Sequence, residues 1–192
     1  MYNGIIFVLL FLMFCVQEFI PRLGPDASYA IILLYPVWFM CSAVTLTYPA
    51  MLSLAFFAGL LWDLRYSVMV GVGEHVTPDI AFGMVKGQAA FGMGIVFFAL
   101  MGNMMHGVRP TYLKNRLGFP ILLTGAGVLG FLLLDFLFLT FKRGSFSFPP
   151  ILGREIFATA LISMAFSPVF YFILHWLHKS FGYRTRYLGY GG

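Results

Sequence analysis

An aspartate, Asp135, stands inside the longest apolar run of the chain, which extends from Leu117 to Phe141. At about 1.5 Å per helical residue, this run is long enough to cross the roughly 30 Å hydrocarbon core of a bilayer. An ionised carboxylate that faces lipid at this depth costs at least about 2.5 kcal/mol. The sequence therefore predicts a membrane protein in which Asp135 faces protein, water or a partner.

The composition leads to the same class of protein. Of the 192 residues, 60% are hydrophobic and 10% are charged, whereas a soluble domain carries about 25% charged residues. The net charge of +5 comes from Lys and Arg at the ends of apolar runs, which is typical of membrane topology and not of nucleic-acid binding. Cys15 and Cys41 lie inside apolar runs, which favours packing roles over a disulfide.

The apolar runs predict an all-α bundle of six transmembrane helices that forms a single membrane domain over residues 1–192. The predicted spans are 5–20, 29–46, 49–64, 89–105, 117–141 and 155–177. Pro49 indicates a tight turn between the second and third spans, and short connections favour antiparallel neighbours. Glycines and charged residues interrupt 66–88, which we expect to be an extramembrane loop, although Val68–Val72 is also compatible with a strand or a re-entrant piece.

The distribution of basic residues gives only a weak orientation. With six spans both termini lie on one side, and the 12 Lys and Arg residues divide equally between the two sides. Discounting Arg65 and Arg154, which belong to helix ends, favours cytoplasmic termini. The loop 66–88 would then be external.

Small residues recur at the spacing that allows helices to approach closely. Ala55 and Gly59 are four residues apart in the third span, and Ala126 and Gly130 are four apart in the fifth. Packing inside the bundle is the favoured interpretation of both pairs, with an external dimer face as the alternative.

Gly127, Phe131 and Asp135 are successive i, i+4 neighbours and share one helix face. The glycine predicts that a neighbouring backbone approaches this face, which would look inward or toward a partner. A proton or ion relay normally needs several ionisable groups at depth, and only Glu18, Asp63 and Asp135 qualify. Structural pairing or partner contact is therefore the favoured role of Asp135.

The sequence predicts no catalytic residue, cofactor or metal ligand. It contains no phosphate-binding glycine loop, no H-E-x-x-H and no nucleophile elbow. Glu74, His75 and Asp79 are reasonable ligand types, but their spacing fits no metal motif and favours a solvated loop. We therefore expect a protein that is not an enzyme.

Several short motifs resemble the bacterial rod shape-determining MreD family. G-L-L-W-D-L at Gly59 to Leu64 resembles the G-x-x-x-D-L core that closes the family's third span. The run that begins Q-A-A-F-G-M-G at Gln88 resembles its glycine-containing entry into the fourth span, and F-L-L-L-D-F-L at Phe131 to Leu137 resembles its fifth span with an embedded aspartate. Gln17 and Pro168 also fit the pattern.

The resemblance implies a scaffold of the cell-elongation machinery (the elongasome) in the bacterial inner membrane, which maintains rod cell shape and takes part in peptidoglycan synthesis. The implied partners are an MreC-like membrane protein, MreB, RodA and a class B penicillin-binding protein. The implied fold is a six-helix bundle similar to the substrate-binding (S) components of vitamin transporters. Carried over by position, Gly59, Asp63, Gly92 and Asp135 are candidates for bundle-core or partner contacts. The long loop 66–88 departs from the family, so no loop contact is carried over.

The alternative function is the binding of a small, vitamin-like substrate as a component of a membrane transporter. Trp38, Trp62 and Tyr66 near span ends would line the pocket. A pocket also needs a few convergent polar groups, and the predicted external half offers these on one loop only, from Glu74 to Lys86.

Overall fold

The computed structural model describes residues 2–20, 30–71, 92–113, 118–143 and 150–180. The regular secondary structure of this part of the chain is α-helical. The helices are α1 (Tyr2–Phe19), α2 (Leu34–Thr45), α3 (Tyr48–Gly71), α4 (Met93–Gly107), α5 (Arg109–Leu113), α6 (Gly118–Arg143) and α7 (Pro150–Ser180).

Three of the described helices are long and apolar enough to cross a membrane, and they make the chain a membrane protein. They are α1, the Gly118–Phe138 part of α6 and the Gly153–Ser180 part of α7. The apolar helices α2 and α4 have 12 and 15 residues, so at about 1.5 Å per residue neither reaches across a hydrocarbon core of roughly 30 Å. Three of the described helices are therefore long and apolar enough to span a membrane. The prediction of six spans is not confirmed.

Two connections differ from the sequence prediction. Helix α3 continues to Gly71, so 66–71 is helical where a loop was predicted to begin. The apolar residues Val68 to Val70 extend the helix past Arg65, and the first glycine in this stretch is Gly71. The rest of the predicted loop, 72–88, lies outside the described residues. The short helix α5 was not predicted.

Consecutive long helices run in opposite directions between two ends of the bundle. At the Tyr2 end, the Tyr2 ring meets His178 near the end of α7, with centroids 5.9 Å apart, and Tyr48 meets His106 near the end of α4 at 5.5 Å. At the opposite end, which we call the Asp63 end, late α3 meets the start of α4. The bundle is therefore antiparallel.

Helix α2 occupies the centre of the bundle. Every residue from Tyr35 to Thr45 is buried, and α2 contacts α1, α3, α4, α6 and α7. Large apolar side chains on the surrounding helices are exposed, among them Val8, Leu161 and Phe172. A helix that is apolar all round and buried, inside others with apolar outer faces, is the arrangement expected when lipid is the solvent.

The chain just before α2 is not helical, and helix α7 supplies hydrogen-bond partners for it. The Ile31 N–H donates to Thr159 Oγ1 at 3.2 Å, and the Leu33 N–H donates to Ser163 Oγ at 3.0 Å. Thr159 and Ser163 are four residues apart, so both hydroxyls lie on one face of α7. Irregular backbone at membrane depth persists only when protein groups bind its polar atoms.

Gln17 of α1 holds the same segment from the other side. Its side-chain Nε2 donates to the Ile32 carbonyl at 2.7 Å, and its Oε1 accepts from the Tyr35 N–H at 3.2 Å. One amide therefore bonds the non-helical segment and also caps the first turn of α2, whose N-cap residue, Leu33, provides no side-chain bond.

Candidate functional site

The α3–α4 junction consists of Gly59 and Asp63 of α3 and Gly92 and Gly94 at the start of α4. The Asp63 carboxylate accepts two backbone hydrogen bonds, from the Gly92 N–H to Oδ2 at 2.8 Å and from the Gly94 N–H to Oδ1 at 3.0 Å. The first N–H groups of a helix have no partner inside it and carry partial positive charge. Asp63 is therefore the N-terminal cap of α4, supplied by a different helix.

The N-cap position itself has the left-handed backbone conformation. Gly92 has φ 102° and no side-chain cap of its own. Residues with a Cβ atom disfavour this region by roughly 1–2 kcal/mol. A glycine here lets the chain turn sharply into α4 and brings two N–H groups toward one carboxylate.

The backbones of α3 and α4 are in direct contact beside this cap. A Cβ atom on Gly59 would meet the backbone of Ile95 and would lie 2.6 Å from the Gly94 carbonyl carbon. A Cβ atom on Gly94 would lie 2.9 Å from the Gly59 carbonyl oxygen and would also meet Asp63 Oδ1. Gly59 and Asp63 are one helical turn apart on the same face. The G-x-x-x-D spacing therefore places the backbone contact at Gly59 beside the helix cap formed by Asp63.

Trp62 anchors the junction to the aromatic core. Its ring lies 6.1 Å from Tyr35, 6.0 Å from Phe98 and 5.3 Å from Phe131, measured between centroids. Trp38, the other described tryptophan predicted to line a pocket, is fully buried against Phe170 at 5.3 Å. Both tryptophans therefore belong to the packed interior; the Tyr66 side chain lies outside the described part.

An ion pair links α1 to α3 at the same end of the bundle. Arg65 Nε lies 2.7 Å from Glu18 Oε1, and a second guanidinium nitrogen donates to Oε2 at 3.3 Å. The guanidinium carbon is also 5.9 Å from the centroid of the Trp62 ring. Sequence reasoning listed Glu18 as an ionisable group but missed this partner, which is 47 residues away.

Gly127 and Asp135 lie on α6 and are not part of the α3–α4 junction. A Cβ atom on Gly127 would lie 3.0 Å from the Met40 sulfur and 4.0 Å from the Met101 sulfur. The prediction that a neighbouring backbone approaches this glycine is therefore wrong: two flexible methionine side chains fill the space. The Ala126 of the other small-residue pair is exposed.

Asp135 continues the inward face of α6. Thr124, Val128 and Phe131 are buried, and Asp135 is the next position at i+4 on that face. Its side chain is half-buried, and no residue of the described part gives it a hydrogen bond or an ion pair. The partly exposed carboxylate therefore has no counter-charge among the described residues.

Three of the five candidate residues thus meet in space, namely Gly59, Asp63 and Gly92. Gly94 was not singled out, although it stands two residues after Gly92 in the run that carried the resemblance. Within the described ranges, no three His, Cys, Asp or Glu side chains are placed to hold a metal ion. Glu74, His75 and Asp79 lie outside those ranges.

The site and fold define a membrane protein whose regular structure is helical throughout the described residues, with a glycine-rich, aspartate-capped helix junction. No protein-family model, curated protein or solved structure matches this chain.

Proposed function

We propose that this chain is a non-enzymatic scaffold in the bacterial inner membrane that helps to maintain rod cell shape, as its resemblance to the MreD family implies. The α3–α4 junction is the observation that carries the proposal. Gly59, Asp63 and Gly92 come from two separate motifs of the resemblance, and in the structure they form one joint. Their contact gives the two motifs one shared structural role, and this supports the proposal.

The proposed architecture is a bundle of six helices, α1 to α4, α6 and α7, similar to the S components of vitamin transporters. In this arrangement α2 is a half-length helix held inside the bundle by Gln17, Thr159 and Ser163, and the other helices surround it. The start of α1 and the end of α7 lie at the Tyr2 end, which we place in the cytoplasm.

The two aspartates have different roles in this proposal. Asp63 sets the geometry of α3 and α4, since its carboxylate is already occupied by backbone donors. Asp135 is available to a partner, because a carboxylate within a span is costly unless a donor or a cation satisfies it. The partner is an MreC-like membrane protein that places such a group beside Asp135.

The larger assembly would contain MreB, RodA and a class B penicillin-binding protein, which carry out or organise peptidoglycan synthesis. The chain itself contributes shape and contacts to this assembly. A vitamin-binding role has less support, because Trp38 and Trp62, which were expected to line the pocket, pack against other aromatic rings.

Partner recovery from the native host tests the proposal. Wild type, Asp135→Asn and Asp135→Leu are purified from detergent-solubilised membranes, and co-purifying proteins and bound small molecules are quantified by mass spectrometry. We expect wild type to recover an MreC-like protein and Asp135→Leu to lose at least about 90% of it, which corresponds to roughly 1.4 kcal/mol. Glu18→Gln, which removes an exposed carboxylate of α1 that pairs with Arg65, should leave recovery unchanged.

The asparagine variant separates two forms of contact. Retained recovery indicates a hydrogen bond to Asp135, and loss indicates a charge pair. Equal recovery from wild type and both Asp135 variants would refute the role of Asp135, and a transporter module with a bound vitamin in place of an MreC-like protein would refute the scaffold.

A further inference from the structure

The acidic residues that the structure describes lie away from one end of the bundle. Glu18 in the last turn of α1, Asp63 beside the start of α4 and Glu155 near the start of α7 all belong to the Asp63 end, and Asp135 lies in the second half of α6. The sequence has no acidic residue between Asp79 and Asp135 and none after Glu155. The described segments that meet at the Tyr2 end therefore carry no carboxylate side chain.

Basic side chains from three helices gather at this acid-free end. Arg109, the first residue of α5, lies three residues after His106 of α4, whose ring meets Tyr48, and His178 near the end of α7 meets Tyr2 at the same end of the bundle. Lys179 follows in the last turn of α7 and is exposed. We call Arg109, His106, His178 and Lys179 the basic end.

Arg109 is the member of this cluster that most needs a counter-charge. Lys179 lies in the last turn of α7 and offsets the negative end of its dipole. The Arg109 side chain is half-buried, and no described residue forms an ion pair with it. A partly buried guanidinium is normally paired with an anion.

Exposed aromatic side chains place this end at the level of the lipid headgroups. Trp176 is 62% exposed and Tyr48 is 48% exposed, and tryptophan and tyrosine concentrate at the membrane–water interface. The anions nearest to Arg109 and Lys179 are therefore phosphates of the surrounding lipids. We propose that the basic end is a binding site for the headgroups of anionic phospholipids, with Arg109 as its central contact.

Lipid retention by the purified protein tests this site, and it is independent of any protein partner. The protein is exchanged into micelles that contain equal amounts of phosphatidylglycerol and phosphatidylcholine with the same acyl chains, and bound lipids are counted by native mass spectrometry. Wild type should retain phosphatidylglycerol preferentially. Arg109→Gln should weaken this preference about fivefold, and Arg109→Gln combined with Lys179→Gln should weaken it further, because each basic residue near an anionic surface contributes a similar factor.

Matched variants separate the site from general charge and from misfolding. Arg154→Gln removes an exposed arginine near the Asp63 end and should leave the preference unchanged, and Arg109→Lys should keep most of it. Equal retention of the two lipids by wild type, or an equal loss in Arg154→Gln, would overturn the proposal. Displacement of the lipid by millimolar inorganic phosphate would show that the site takes phosphate alone, and would overturn the assignment to lipid.

Discussion

The carboxylate of Asp63 accepts the backbone N–H of Gly92 at 2.8 Å, although 29 residues separate the two positions. Helix caps usually come from the residue immediately before the helix. Here the cap comes from the preceding helix, so the bond fixes the position of α4 on α3 as well as the start of α4. A change at either residue should therefore affect the packing of two helices.

Removing the cap should destabilise the protein measurably. Asp63→Ala leaves the Gly92 and Gly94 N–H groups without their carboxylate and should lower the free energy of unfolding by about 1–2 kcal/mol. Asp63→Asn keeps one acceptor oxygen and should lower it by less. Thermal unfolding in detergent, followed by intrinsic fluorescence, measures both; Glu18→Gln, which breaks an exposed ion pair, is the control and should change little. An unchanged midpoint in Asp63→Ala would mean that the cap contributes nothing to stability.

The close approach of α3 and α4 should not tolerate a methyl group. Gly59→Ala and Gly94→Ala each place a Cβ atom against backbone atoms of the facing helix, and overpacking of this kind costs about 1–3 kcal/mol. Gly107→Ala is the matched control, because a Cβ atom at this helical glycine meets nothing within 4 Å. It should be neutral or slightly stabilising. Equal unfolding midpoints for the three variants would contradict a backbone contact at the junction.

The effect of a substitution at Gly92 should depend on the backbone conformation that the new residue prefers, and not on the size of its side chain. A Cβ atom there meets no neighbour within 4 Å, but φ is +102°. Gly92→Ala should therefore cost roughly 1–2 kcal/mol, whereas Gly92→Asn should cost less, since asparagine adopts positive φ more readily. If Gly92→Ala and Gly92→Asn unfold at the same temperature, the left-handed backbone conformation is not the cause of any loss of stability.

The non-helical segment before α2 should depend on the hydroxyls of α7. Ser163→Ala leaves the buried Leu33 N–H without its partner and should cost about 1–3 kcal/mol. Ser167→Ala is the control: its side chain is equally buried, but its hydroxyl donates to the Met164 carbonyl of its own helix. Hydrogen exchange should show faster exchange at Leu33 in Ser163→Ala alone. Equal protection in the two variants would mean that Ser163 does not hold this segment.

The long helices were predictable from the sequence because lipid makes strong demands on composition. Apolar runs marked the positions of α1, α6 and α7, and Pro49 marked the short connection after α2, which ends at Thr45 before α3 begins at Tyr48. The start of α2 was less predictable. Residues 31–33 are as apolar as the helix that follows, so no composition signal separates them. Their hydrogen bonds to Gln17, Thr159 and Ser163 appear only when α1 and α7 pack around them.

The candidate site likewise has features that the sequence predicts and features that only the packed structure reveals. Asp135 was identifiable from its run alone, since a carboxylate among leucines needs an explanation in any fold. Helical periodicity predicted that Asp135 shares the helix face of Phe131. It did not predict that Met40 and Met101 fill the space beside Gly127. Sulfur-containing side chains adapt to irregular gaps, so nothing in the spacing of α6 could predict which neighbour would fill this one.

By itself, the sequence determined that the chain is helical and belongs in a membrane, because apolar runs of this length have no other stable environment. It also determined that Gly59 and Asp63 share a helix face, since that follows from 3.6 residues per turn. Only the tertiary structure decided that Asp63 caps α4, that Gly59 touches the α4 backbone, and that the described acidic residues lie away from the Tyr2 end. These contacts join segments that are far apart in the chain, and their energies depend on distances of a few ångströms that local sequence patterns do not specify.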